Sequence, residues 1–247
     1  MSYNLRDAIE YLVDLADDAR EPHVVDINGK TYCDKGLRRY DSEEMAEPLT
    51  ASSLSSLLDY INGKSDELRE SMIIHVESPT AVRLLSGLTK ERQRESLFYV
   101  RTNPNGFEFD HYYDQERFII NMQTAFQQTK EVALITTVAG NVENKTVANY
   151  GDNGTNQSVT ISRGVAGKEA VEVPNPVVLQ PFRTFLEVEQ PESKFVFRIG
   201  EDTDGKPLFK LVEADGGLWK YDAVRAIKDY IKKNLDPEFS SRITVIG

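Results

Sequence analysis

The apolar residues of this chain change their period along its length, and that change limits the folds open to it. Up to Val138 most of them recur at helical spacing. The sets are Leu5, Ile9, Leu12, Val13 and Ala16; Leu54, Leu57, Leu58 and Ile61; Phe118, Met122, Ala125 and Phe126; and Val132, Ile135 and Val138. Between them, residues 72–76 and 96–100 are rich in branched and aromatic side chains and read as strands, with Val82, Leu84 and Leu85 as a third. Further on, the period becomes two. Residues 159–161, 170–173, 185–188, 195–199 and 208–212 read as strands separated by turn residues. Pro174, Pro176, Pro181 and Pro191 confine their neighbours to edges and connections, because proline donates nothing to a ladder. A last helix follows Asp215-Gly216-Gly217, with Trp219, Ala223, Ile227 and Ile231 as its inner stripe, and residues 243–246 close as a short strand. No unit repeats, which removes solenoids and propellers. The expected class is α+β: N-terminal helices with short strands, then a largely antiparallel β-sheet closed by a helix. The division is either 1–148 and 149–247 or one continuous domain, and the patterns leave both open.

Local signals refine this outline. Asn28-Gly29, between Val24-Val25-Asp26-Ile27 and Thr31-Tyr32-Cys33, is a strong hairpin signal. Thr50 or Ser52 caps the second helix and Gly63 stops it. Asp110 or Asp114 caps the helix carrying Phe118, and Thr129 starts the next. The polar stretch 149–157 reads as a loop or a mobile arm.

Charge and cysteine usage exclude several classes. The chain holds 29 Lys and Arg against 40 Asp and Glu, a net charge of −11. That opposes broad binding to nucleic-acid phosphates or to an anionic membrane, although a local basic patch is compatible with it. Cys33 is the only cysteine, so neither an intramolecular disulfide nor a multi-cysteine zinc site is available. It reads as a small buried or half-buried apolar residue. No signal peptide or apolar span is recognisable, and the expected location is the cytoplasm of whichever cell makes the protein, without membrane attachment.

Chemical motifs are sparse. His75-Val76-Glu77 matches the first half of a zinc-deaminase signature, but its paired cysteines are missing. There is no nucleophile elbow and no phosphate-cradling glycine loop. Asp202-Thr203-Asp204-Gly205 opens like a calcium loop without its later ligands, and a hairpin turn explains it. No motif calls for a cofactor. Asp110, His111 and Asp114 form the richest polar cluster, a candidate ligand or metal site; helix capping is the simpler account of the two acids. Lys90, Arg92, Arg94 and Arg101 surround a strand bearing Phe98 and Tyr99, a mixture that suits single-stranded nucleic acid through stacking and phosphate contacts. Glu91 and Glu95 are interleaved with those bases, and a solvated turn is the simpler account of them.

One resemblance adds to this reading. Val138-Ala139-Gly140-Asn141, Val159-Thr160-Ile161-Ser162, Glu172-Val173-Pro174 and Pro181-Phe182 recur in order, ahead of paired strands at 195–199 and 208–211. In this the chain resembles the YfdQ-like proteins of phages and prophages. The resemblance implies a bacteriophage or prophage source and carries no catalytic or cofactor residues. The favoured expectation is a non-enzymatic phage protein that self-associates into a homo-oligomer and contacts a host or phage protein, in a role such as countering a host defence. The alternatives are an accessory single-stranded nucleic-acid binder of phage replication or recombination, and a binder of a small ligand such as a nucleotide.

Overall fold

The computed structural model describes residues 4–36, 45–64, 66–90, 92–104, 106–142, 151–152, 156–163 and 167–247. It is an α+β protein of two compact units, residues 1–45 and 46–247. No helix among the described residues is long and apolar enough to cross a membrane.

In the first unit, helix α1 (Leu5–Asp18) starts at Asn4, whose side chain accepts from the Arg6 amide. Strands β1 (Val24–Ile27) and β2 (Lys30–Cys33) form an antiparallel hairpin. Its turn residues Asn28 and Gly29 have φ of 52° and 75°, the left-handed pair that matches the twist of the flanking strands. The apolar stripe of α1 is where the periodicity places it, but none of its side chains is buried. Cys33 is exposed on β2, not buried, since a two-stranded hairpin does not by itself enclose a side chain.

The second unit is built around two sheets, each with its own core. The first sheet has the order β14–β4–β5–β6–β3. Its central strands β4 (Met72–Ser78), β5 (Ala81–Ser86) and β6 (Ser96–Arg101) are antiparallel, while β3 (Leu49–Ala51) and β14 (Ile243–Ile246) join the two edges in parallel. Alternation turns Met72, Ile74, Val76, Val82, Leu84, Phe98 and Val100 to one face. Helix α2 (Leu54–Gly63) brings Leu54, Leu57 and Ile61 to that face, and helix α5 (Leu218–Asn234) brings Ile227 and Ile231. Each such side chain contributes about 1.5–3 kcal/mol of burial.

The second sheet has the order β11–β12–β13–β7 and is antiparallel throughout: β11 (Val177–Leu179), β12 (Ser193–Glu201), β13 (Pro207–Glu213) and β7 (Tyr113–Asp114). Phe195, Phe197, Phe209 and Leu211 point to the same side and are fully buried. Helices α3 (Gln115–Thr124) and α4 (Lys130–Asn141) cover them with Phe118, Met122, Val132, Ile135 and Val138. The Phe118 ring lies 5.3 Å from Phe209 and 5.8 Å from Phe197, so one helical residue spans both strands. A third group pairs β8 (Gly151–Asp152), β9 (Asn156–Arg163) and β10 (Gly167–Pro174). Both cores draw on residues from either side of position 149.

Other expectations need correction. Residues 185–188 are not a strand but a loop whose Phe185 and Val188 carbonyls accept from the Gln190 side chain. Residues 49–51, read as the approach to a helix, are strand β3, and Ser53 rather than Thr50 or Ser52 caps α2, its hydroxyl accepting from the Ser56 amide. Within the stretch read as a loop or arm, residues 151–152 and 156–157 lie in strands, and the remainder is outside the described residues except for these four. Trp219 is half-buried rather than fully inside. The turn at Asp202 is a hairpin turn as expected, with its carboxylate accepting from the Asp204 and Lys206 amides at 2.9 and 2.8 Å.

Candidate functional site

A buried polar cluster in the second unit centres on Arg183, which no motif in the sequence marks. Arg183 lies in the connection between β11 and β12 and is only 8% exposed. Its guanidinium donates to Glu213 and to the Ser193 hydroxyl. Its carbon lies 3.9 Å from the centroid of Trp219 and 5.6 Å from those of Phe109 and Phe195, two rings that stack on each other at 5.0 Å. Burial pushes the Arg183 pKa down to about 10, and the charges of Glu213 and Asp215 oppose that fall. Burial also works against the Asp215 carboxylate, yet Ser193, the Gly217 amide and Arg183 outweigh it and hold Asp215 below its ordinary value.

The loop carrying Arg183 is tied by one buried amide. The Gln190 side chain accepts from the amides of Arg183 and Thr184 and donates to the carbonyls of Phe185 and Val188. These bonds replace the ladder that a strand over 185–188 would have needed. Phe185 and Val188 then enter the first core, while Leu186 between them is 76% exposed. Glu187 reaches back to the start of α2, accepting from the Leu54 amide at 2.7 Å, where a carboxylate complements the helix dipole. Beside the cluster, a groove of about 450 Å³ is lined by Ser193, Lys194, Asp215 and Glu192, with Val178 and Leu218 as its apolar lip.

The residues singled out from sequence are separately employed. Asp110 adopts φ 58° and accepts from Lys210 at 2.7 Å, a bond that raises the Lys210 pKa. Asp114 is the N-cap of α3, accepting from the Arg117 amide at 2.8 Å. The His111 ring packs edge-on against Tyr113 at 4.8 Å. Among the described residues no group of three or more His, Cys, Asp or Glu side chains is arranged to hold a metal ion. In the basic segment, Lys90, Arg92, Arg94 and Arg101 are exposed, with Arg94 also donating to the Ser86 carbonyl at 3.0 Å. Phe98 is turned inward, 6% exposed against Tyr60, and offers no face to a base. The neighbouring Tyr99 takes the outward position, because side chains alternate along a strand. Glu95 also turns inward, accepting from the Ala46 amide at 2.8 Å and from Arg69 at 3.0 Å.

These contacts give the fold an acid limit. The Ala46 amide, against the opposing effect of burial, and then Arg69 hold the Glu95 carboxyl below its ordinary value. A carboxyl depressed in the folded state binds fewer protons than in the unfolded chain, so its stabilisation is present above the unfolded pKa of about 4.3 for Glu and is lost as pH falls through the folded value. Asp215 acts in the same direction. Urea midpoints measured from pH 7 down to pH 3 should therefore drop, and Glu95→Gln should flatten that drop while lowering the midpoint at pH 7. An unchanged acid limb in Glu95→Gln shows that this carboxylate is not involved.

No family model, curated protein or solved structure matches this chain.

Proposed function

We propose that this chain is a non-enzymatic protein of bacteriophage or prophage origin that acts by self-association and by contact with a host protein, in a role such as countering a host defence. The phage source is supported by the YfdQ-like pattern of strand and turn residues. The mode of action rests on one observation: the described part of the first unit keeps its large apolar side chains in the open. Leu5 is 75% exposed, Leu12 62% and Val24 61%, with Ile9, Val13, Val25, Ile27 and Tyr32 also exposed. A 14-residue helix is marginal alone in water, and so is a two-stranded hairpin. Both gain stability when their apolar faces are covered, and pairing of α1 with α1 of a second copy covers a stripe of the right width. The acids at positions 7, 10, 14, 17 and 18 keep the opposite face solvated.

Native mass spectrometry and light scattering on the full chain test this. The expected result is a defined multiple of 27.9 kDa, reduced to the single-chain mass by Ile9→Asp with Leu12→Asp, with the thermal transition of residues 46–247 unchanged. A strictly monomeric wild-type chain at the highest soluble concentration overturns self-association.

A further inference from the structure

We propose that the outward face of the five-stranded sheet binds single-stranded nucleic acid, along a line from the β5–β6 connection to Arg101 with Tyr99 and Arg83 at its centre. This face shares no residue with α1. Both helices that pack on this sheet, α2 and α5, contribute to the core on the opposite face. Strand register places one residue of each strand in a row across the outward face: Ile246, His75, Arg83, Tyr99 and Thr50. His75, Arg83 and Tyr99 are half-buried, and the Arg83 side chain is 41% exposed.

The geometry at the centre of the row points to a base. The Arg83 guanidinium carbon lies 4.6 Å from the Tyr99 centroid, and its Nε lies 2.9 Å from a Glu77 carboxylate oxygen. Glu77 thus anchors a planar cation over an aromatic ring, and nucleobases stack on both kinds of surface. The cations at either end supply phosphate contacts: Arg101 at the end of β6, and Lys90, Arg92 and Arg94 in the β5–β6 connection, all exposed. Glu95, interleaved with them in sequence, is removed from this surface by Ala46 and Arg69. Strand β6 runs about 20 Å at ~3.4 Å per residue, room for about four nucleotides, the short end of known single-strand sites. The net charge of −11 repels phosphates over the rest of the surface, which confines binding to this line and keeps it weak, with Kd of about 10⁻⁴–10⁻⁶ M. An acidic protein surface would satisfy the arginines but would make no use of the Tyr99–Arg83 stack.

Fluorescence anisotropy on the full chain, with labelled oligothymidylate and oligouridylate of about 12 nucleotides, tests the proposal and separates DNA from RNA. Binding at low salt is expected to weaken about 20-fold between about 50 and 200 mM salt, for about three phosphate contacts. Tyr99→Ala should lose about tenfold in affinity and Tyr99→Phe should retain it. Arg94→Ala and Arg101→Ala should each lower the slope of log affinity against log salt by about 0.7. Arg83→Gln provides a second probe of the stack if Tyr99→Ala has a lowered melting midpoint. The Ile9→Asp, Leu12→Asp chain should bind as the wild type does, so loss of self-association and loss of binding are read separately. The proposal is overturned by no binding of either oligonucleotide at low salt, by affinity unchanged in folded Tyr99→Ala and Arg83→Gln, or by equal competition from a polyglutamate peptide, which assigns the face to an acidic protein.

Discussion

Replacing Arg183 with alanine is expected to lower the unfolding free energy by about 3–5 kcal/mol, measured by urea denaturation. Three losses combine. The guanidinium lies over the Trp219 ring and near the stacked pair Phe109 and Phe195, so its removal takes away a contact of each and leaves a cavity. The Ser193 hydroxyl, in a residue only 3% exposed, loses the donor it accepts from. Asp215, with one carboxylate oxygen buried and unpartnered, loses the nearest positive charge. Glu213 keeps 37% of its side chain in water and is the least affected member. Arg183→Lys keeps the charge but not the fork or the planar stack, and should recover less than half of the loss. A shift below about 1 kcal/mol for Arg183→Ala would mean that the surrounding rings close over the gap and that the cluster is not a joint of the fold.

Phe118→Ala is expected to cost a similar amount, about 3–5 kcal/mol, and to lower Tm by about 10 °C in a scanning-calorimetry trace. Phe118 is fully buried and touches Phe197, Phe209 and Phe107, the last edge-on at 6.1 Å. Its ring is the contact through which α3 grips both central strands of the second sheet, so truncation opens a cavity among residues fixed by backbone ladders. Phe118→Leu retains most of the volume and should lose about half as much. If alanine is tolerated within about 1 kcal/mol, the aromatic cluster is looser than its ring distances indicate.

The helical spacing that located Phe118 is the kind of signal sequence carries well. Helices α1 to α5, the Asn28-Gly29 hairpin, the Asp114 and Thr129 starts and the strands at 72–78, 96–101, 193–201 and 207–213 follow from periodicity and capping chemistry. Residues 185–188 alternate like a strand and fold as a loop, because the nearby Gln190 side chain satisfies backbone groups that a ladder would otherwise have paired, and a period does not show such a bond. Strand β3 has three residues, too few to show a period at all. Periodicity places the stripe of α1 but is silent on whether anything covers it. For the site, sequence located the basic segment yet not which aromatic of Phe98-Tyr99 faces outward, since that depends on register with β5. Arg183 carried no motif. The only prompt was the single tryptophan of the chain, the aromatic whose ring face best attracts a cation.

The parallel pairing of β14 with β4 bears on the order in which a ribosome delivers this fold. Arg242 bonds to the carbonyl of Leu68, 174 residues earlier, and Ile243 then lies beside Met72. At ~5–20 residues per second the β4 edge waits about 10–30 s for its neighbour. Among the described residues the second core is drawn from positions 107–211, which are made about 2–6 s before that strand arrives. Throughout the interval Met72, Ile74 and Val76 border an unpaired backbone edge, a template for association with other nascent chains. The exposure is longest where elongation is slowest, so slow translation of residues 79–242 prolongs the time in which this edge can pair with another chain.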